Sequence, residues 1–266
     1  MTDQEIAKST RPRPEEEELA RLEARLAELE DELADRELEL ATWRRELRDF
    51  EQRFLAVVGT RQAELDRLEA QIAVLLAVRE PSPETQQAAD ATAEQARRSA
   101  EELGDDPEAL AEAAAASPRE IPEDLKKLFR RTAKAVHPDY AVDDRDRASR
   151  EHAMAEANAA YELGDVARLS AVLEEWESRP EAISGSDVGS KIVRAIRRIA
   201  AAEQRLAALA AEMVALNESS LAVLRAKARE AQAEGRDLLQ EMADELDHRS
   251  DVARQRLDEL YTAEEH

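Results

Sequence analysis

The residues best suited to chemistry are three in a row, His137-Pro138-Asp139. An imidazole can donate, accept or ligate, and it changes charge near neutral pH. A carboxylate on a turn can accept charge-assisted hydrogen bonds from a partner's arginine. The proline between them stiffens the backbone, so docking loses less ordering entropy. A metal pair would need further ligands, and no ligand cluster accompanies these two. Just upstream, Lys126, Lys127, Arg130, Arg131 and Lys134 recur at i, i+1, i+4, i+5 and i+8. At helical spacing they form one face, opposite Leu125, Leu128, Phe129, Thr132 and Val136. Such a charged face is either a solvated surface or a seat for an acidic partner, and on its own the solvated reading is the commoner outcome. No phosphate loop, nucleophile triad or paired-carboxylate pocket is legible, so neither an enzyme nor a cofactor is expected.

The elements that position the tripeptide can be read directly. Pro122-Glu123-Asp124 suits the first turn of a helix, and Pro138 ends that helix near Val136. A second helix runs from about Asp146 to Leu163, with Ala153, Met154, Ala157, Ala160 and Tyr161 on its apolar face. Asn158 and Tyr161 are expected to brace the hairpin rather than contact a partner. Gly164 stops this helix, and Asp165 caps a third that carries Val166, Leu169, Val172, Leu173 and Trp176.

These blocks carry a family resemblance. Leu125 to Asp139, LKKLFRRTAKAVHPD, resembles the second helix and following loop of J-domains, the defining module of DnaJ-type cochaperones. Met154 to Glu162, MAEANAAYE, looks like the third helix of that family. The resemblance spans residues 119–177, roughly a fifth of the chain. It implies docking on a DnaK-type heat-shock chaperone and stimulation of that partner's ATP hydrolysis. By position, Asp139 would make the key polar contact, with His137 and Pro138 holding the loop. Lys126, Lys127, Arg130, Arg131 and Lys134 would sit on an acidic surface, steering association in a salt-sensitive way. The aromatic-leucine-glycine signature of the family's first helix is not visible upstream, and residues 107–116 are the nearest substitute. No glycine/phenylalanine-rich region follows, and with no cysteine the zinc-binding module of some relatives is excluded.

The rest of the chain is helical by composition. Of 266 residues, 37% are charged and 3% aromatic, with only 6 glycines. Such a chain favours narrow helical seams over a large core. Leu19, Leu22, Leu26, Leu29, Leu33, Leu40, Trp43, Leu47, Phe50, Phe54 and Val57 follow steps of three and four, with Arg36 in one seam position. Near Val57-Val58-Gly59 the frame shifts by four, a stutter that loosens a supercoil. Pro81 and Pro83 end the run. A second periodic stretch carries Ile192, Ile196, Ile199, Leu206, Leu209, Met213 and Leu216, with breaks expected at 217–220 and Gly235. Its cations Lys191, Arg194, Arg197, Arg198 and Arg205 lack interleaved aromatics, so a solvated face is favoured over nucleic-acid binding.

The expected architecture is all-α: long coiled-coil helices flanking a small J-domain-like hairpin. The divisions are a disordered tail at 1–14, a coiled-coil helix at 15–80, a weakly helical linker at 81–118, the J-like module at 119–177, a linker at 178–187 and coiled-coil helices at 188–262. Two arrangements of the arms fit. In one, the carboxy-terminal arm runs back along the first. In the other, each arm pairs with its copy in a homodimer. A net charge of -23 opposes binding to nucleic acid or anionic membrane. The amino terminus lacks an apolar signal core and the longest apolar run is short, so a cytoplasmic protein is expected. Two functions are carried forward. One is a cochaperone whose coiled coils bind a client or itself; the other is a coiled-coil scaffold with a degenerate, non-activating hairpin.

Overall fold

The computed structural model describes residues 13–104, 106, 112, 120–141, 143–178 and 187–262. The tail at 1–14, the 107–116 segment and the linker at 178–187 lie largely outside them. Every regular element among the described residues is helical. In chain order these are α1 (Pro14–Phe54), a π turn (Leu55–Gly59), α2 (Thr60–Arg79), α3 (Pro83–Leu103), α4 (Glu123–Val136), a 3-10 turn (Pro138–Tyr140), α5 (Asp144–Leu163), α6 (Val166–Glu177), α7 (Val188–Asn217), α8 (Ser220–Ala233) and α9 (Leu238–Thr262). No single helix among them is long and apolar enough to cross a membrane. The chain divides into two compact units, each assembled from distant stretches: residues 1–45 with 121–216, and 46–120 with 217–266.

In the first unit α1 pairs with α7, and the two run parallel. Glu30 meets Arg198 at 2.5 Å, Glu37 meets Arg205 at 2.8 Å and Arg44 meets Glu212 at 3.1 Å. Each pair is separated by 168 residues, so the register advances by one heptad per rung. This corrects the out-and-back arrangement, which needs antiparallel arms. The leucine seam of α1 is buried as the spacing predicts, at Leu26, Leu29, Leu33, Leu40 and Leu47. Facing it on α7, the buried positions are Ala195, Ala202 and Leu209, with Ile199 and Leu206 packed beside them. Ile196, expected in the seam, is 51% exposed. Small side chains thus carry much of the contact, with Ala195 buried in place of its neighbour Ile196. Arg36 also leaves the seam and pairs with Glu39 at 2.8 Å, while its neighbour Glu37 is buried.

The hairpin module packs on a second face of α1. Phe129 of α4 and Tyr161 of α5 lie with ring centroids 4.6 Å apart. Around them gather Leu125, Ala133, Val136, Met154, Ala157, Leu169 and Val172, with Ala41 and Leu38 of α1 closing the core. Tyr161 and Thr42 share a hydroxyl–hydroxyl hydrogen bond of 2.8 Å, and Arg45 donates to the Tyr161 carbonyl at 2.8 Å. So α1 supplies one wall of the hairpin core. Gly164 ends α5 in the left-handed region, at φ 73°. A Cβ there would come within 2.9 Å of the Arg45 guanidinium. Gly164→Ala should therefore cost about 1–2 kcal/mol, chiefly from the left-handed backbone. Urea melts check this, and an unchanged midpoint would contradict it.

In the second unit α2 and α9 also run parallel, through Arg61–Asp247 at 2.9 Å and Arg254–Glu64 at 3.2 Å, while Arg53 at the end of α1 meets Asp237, just before α9, at 3.0 Å. Leu65, Leu68, Leu239, Leu246 and Ala253 are buried between them. The expected stutter is a π turn, which takes up the frame shift without breaking the helix. The largest departure is α3. The segment expected as a weakly helical linker is a 21-residue helix with a Ser82–Thr85 capping box, returning antiparallel along α2. Its buried residues are Ala89 and Ser99. Asp66 of α2 accepts hydrogen bonds from Gln95 at 3.2 Å and from Ser99. A face built from alanine and hydrogen-bonded polar groups gives no apolar periodicity to read.

Candidate functional site

The tripeptide sits where the hairpin turns. Helix α4 stops at Val136 because His137, preceding proline, takes extended backbone at φ -57°, ψ 132°. Pro138-Asp139-Tyr140 then forms a 3-10 turn. The Tyr140 amide donates to the His137 carbonyl and the Ala141 amide to the Pro138 carbonyl, both at 3.1 Å. The Asp139 amide donates to His137 Nδ1 at 3.2 Å. That bond makes Nδ1 an acceptor, so a neutral ring carries its proton on Nε2. Arg150 of α5 braces the loop from behind. It donates to the Ala135 carbonyl at 3.1 Å and to the His137 carbonyl at 3.4 Å, and its guanidinium lies 4.8 Å from the centre of the Trp176 ring. The turn is thereby held by both later helices of the module.

Of the loop only His137 is buried, while Pro138, Asp139 and Tyr140 are half-buried. His137 is 2% exposed, and its Nε2 points at the Glu37 carboxylate, 3.5 Å away. That separation is long for a hydrogen bond, so the contact is electrostatic. Glu37, itself 3% exposed, accepts a hydrogen bond from Arg205 Nε at 2.9 Å. Arg198 lies 4.8 Å over the Tyr140 ring. The Asp139 carboxylate is mostly enclosed, and Oδ2 has no hydrogen-bond donor within the protein. Burial pushes the Asp139 carboxyl above its ordinary range, against the nearby His137, Arg205 and Arg147. Burial likewise pushes the Tyr140 hydroxyl well up.

Burial also works against ionisation of Glu37, but His137 and Arg205 more than reverse it and hold its carboxyl below the usual glutamate value. A group depressed in the folded state contributes stability above its unfolded pKa, about 4.3, and loses it as pH falls through the folded value. Asp139 titrates in the opposite sense, since protonation relieves its burial penalty. Between pH 7 and pH 3 the wild type should therefore lose more melting temperature than Glu37→Gln. Parallel curves for the two chains would contradict the Glu37 assignment.

The five expected cations of α4 share one helix but divide into two groups. Arg130 forms a two-pronged pair with Asp35 of α1, at 2.9 and 3.1 Å, and Lys134 meets Asp31 at 2.7 Å. Lys127 and Arg131 project outward, 77% and 66% exposed, the latter touching Glu177 at 2.7 Å. Lys126 contacts Glu123 at 2.7 Å. The structure thus brings together the tripeptide and the basic face, adds Asp31, Asp35 and Glu37 of α1 and Arg150, which sequence reasoning passed over, and brings in Arg198 and Arg205 of α7, which it had read as part of a solvated face. One signal for the α1 group was present. Ala34, Glu37 and Ala41 recur at helical spacing beside the leucine seam, marking a second buried face. Among the described residues no group of three or more histidine, cysteine, aspartate or glutamate side chains is placed to hold a metal. No protein-family model matches the chain, and neither a curated protein nor a solved structure matches it.

Proposed function

We propose that this chain is a divergent J-domain-type cochaperone that binds a DnaK-type heat-shock chaperone and stimulates its ATP hydrolysis. One observation carries the reading. His137-Pro138-Asp139 forms a hydrogen-bonded turn at the tip of a two-helix hairpin, directly after a helix bearing Lys126, Lys127, Arg130, Arg131 and Lys134. The chain itself performs no covalent step in this account and needs no cofactor. Asp139 accepts from the partner, His137 and Pro138 shape the turn, and the cations meet an acidic surface. The long helices bind a client or a second copy, and the setting is the cytoplasm, away from nucleic acid and membrane.

The test is single-turnover ATP hydrolysis by a DnaK-type chaperone, titrated with the full chain. Stimulation should saturate, weaken with added salt and vanish in His137→Gln. No stimulation at any concentration sinks the reading. The second reading, a coiled-coil scaffold with a non-activating hairpin, is favoured by one observation: His137 is 2% exposed and the Asp139 carboxylate is largely enclosed.

A further inference from the structure

The same burial supports a regulatory reading, which rests on the proposed docking role of the tripeptide. We propose that α1 and α7 form an intramolecular cover over the docking loop, so that the folded chain is its own closed state and the loop becomes available only when the cover lifts.

Three observations converge. The first is competition for the same cations. Arg130 and Lys134, assigned to an acidic partner surface, are already held by Asp35 and Asp31 of α1. Neither can serve both at once, so α1 stands in for the partner's acids.

The second is physical occlusion. Glu37 lies against His137 and Arg198 lies over Tyr140, while Arg205 anchors Glu37 and Arg198 anchors Glu30. The cover is therefore a paired unit, two helices bound to each other as well as to the loop.

The third is the poor satisfaction of what is covered. His137 Nε2, Asp139 Oδ2 and Tyr140 Oη are all buried without a hydrogen-bond partner in the protein. Each such atom has lost its water without gaining a partner, which leaves its desolvation uncompensated. Three of them within four residues, all beside one cover, favour a surface that regains partners on opening. A partner finding the loop open only part of the time binds more weakly by that fraction.

The test uses the full chain and two double variants on different helices, neither of which replaces a docking residue: Asp31→Asn with Asp35→Asn on α1, and Arg198→Ala with Arg205→Ala on α7. The reporter is acylation of accessible neutral imidazole by diethyl pyrocarbonate, read by mass spectrometry of the peptides carrying His137 and His152. His152, exposed on α5, is the internal control. In the wild type His137 should react at least about 10-fold more slowly than His152. In either double variant that ratio should rise by about 10-fold, and half-maximal chaperone stimulation should need about 10-fold less protein. If His137 reacts as fast as His152 in the wild type, the cover is overturned. The same follows if both variants keep wild-type helicity and wild-type protection. In those cases stimulation that depends on Asp139 would leave the proposed function standing. If the variants free His137 yet no chain stimulates hydrolysis, the cover stands and the docking role falls.

Discussion

Phe129→Ala lowers the stability of the hairpin by about 3–5 kcal/mol, the cost of truncating a fully buried aromatic. Phe129 is inaccessible to solvent and its ring lies tilted, with centroids 4.6 Å apart, against that of Tyr161, the residue that ties α5 to Thr42 of α1. Removing the ring leaves a cavity between α4, α5 and the Leu38–Ala41 face of α1. The loss should appear as a lowered urea midpoint together with faster amide exchange across α4. A change under about 1 kcal/mol would contradict tight packing around Phe129, because only a site able to collapse freely loses so little.

Asp139→Asn gives the largest expected functional effect and a small structural one. The carboxylate accepts no hydrogen bond through Oδ2 and is pushed toward its neutral form by burial. A neutral side chain of the same shape removes that penalty, so the variant should melt at the wild-type temperature or slightly above it at pH 7. Chaperone stimulation should nevertheless fall to the basal rate, since an amide cannot offer an arginine the same charge-assisted contact. Undiminished stimulation would remove Asp139 from the site. A sharp drop in melting temperature would instead mark it as a structural residue, supporting the scaffold reading.

How much of this was legible follows from the kind of side chain involved. Apolar residues at regular spacing announced α1, α4 and α6, the Ala-Met-Ala-Ala-Tyr face announced α5, and Gly164 and Asp165 fixed the junction between α5 and α6. The pairing of the arms was not legible. Leucine periodicity states that a helix has a partner; it does not state the partner's direction. The parallel register rests on glutamate–arginine rungs one heptad apart, which look like ordinary surface charges until both helices are seen. Helix α3 was missed because alanine and serine form its buried face. The tripeptide was read at the tip of its hairpin, and it is there. That it lies under α1 and α7 depends on Asp31, Asp35, Glu37, Arg198 and Arg205, each of which is an unremarkable charge in a chain that is 37% charged. Arg198 and Arg205, expected on a solvated face, in fact hold the loop and its cover.

The cover bears on how the first two predictions combine. Phe129→Ala also weakens the α1 face that carries Asp31 and Asp35, so partial opening and partial unfolding would appear together. The charge-neutral α1 variant separates them, because exposed pairs of this kind contribute only about 0–1 kcal/mol each to stability.

The most direct test of the docking role is single-turnover ATP hydrolysis by a DnaK-type chaperone with the Asp31→Asn, Asp35→Asn chain, alone and combined with Asp139→Asn. The account predicts strong stimulation by the first chain, at lower concentration than wild type, and a return to the basal rate in the second. Equal rates for the two chains, whether both stimulate or neither does, would contradict it.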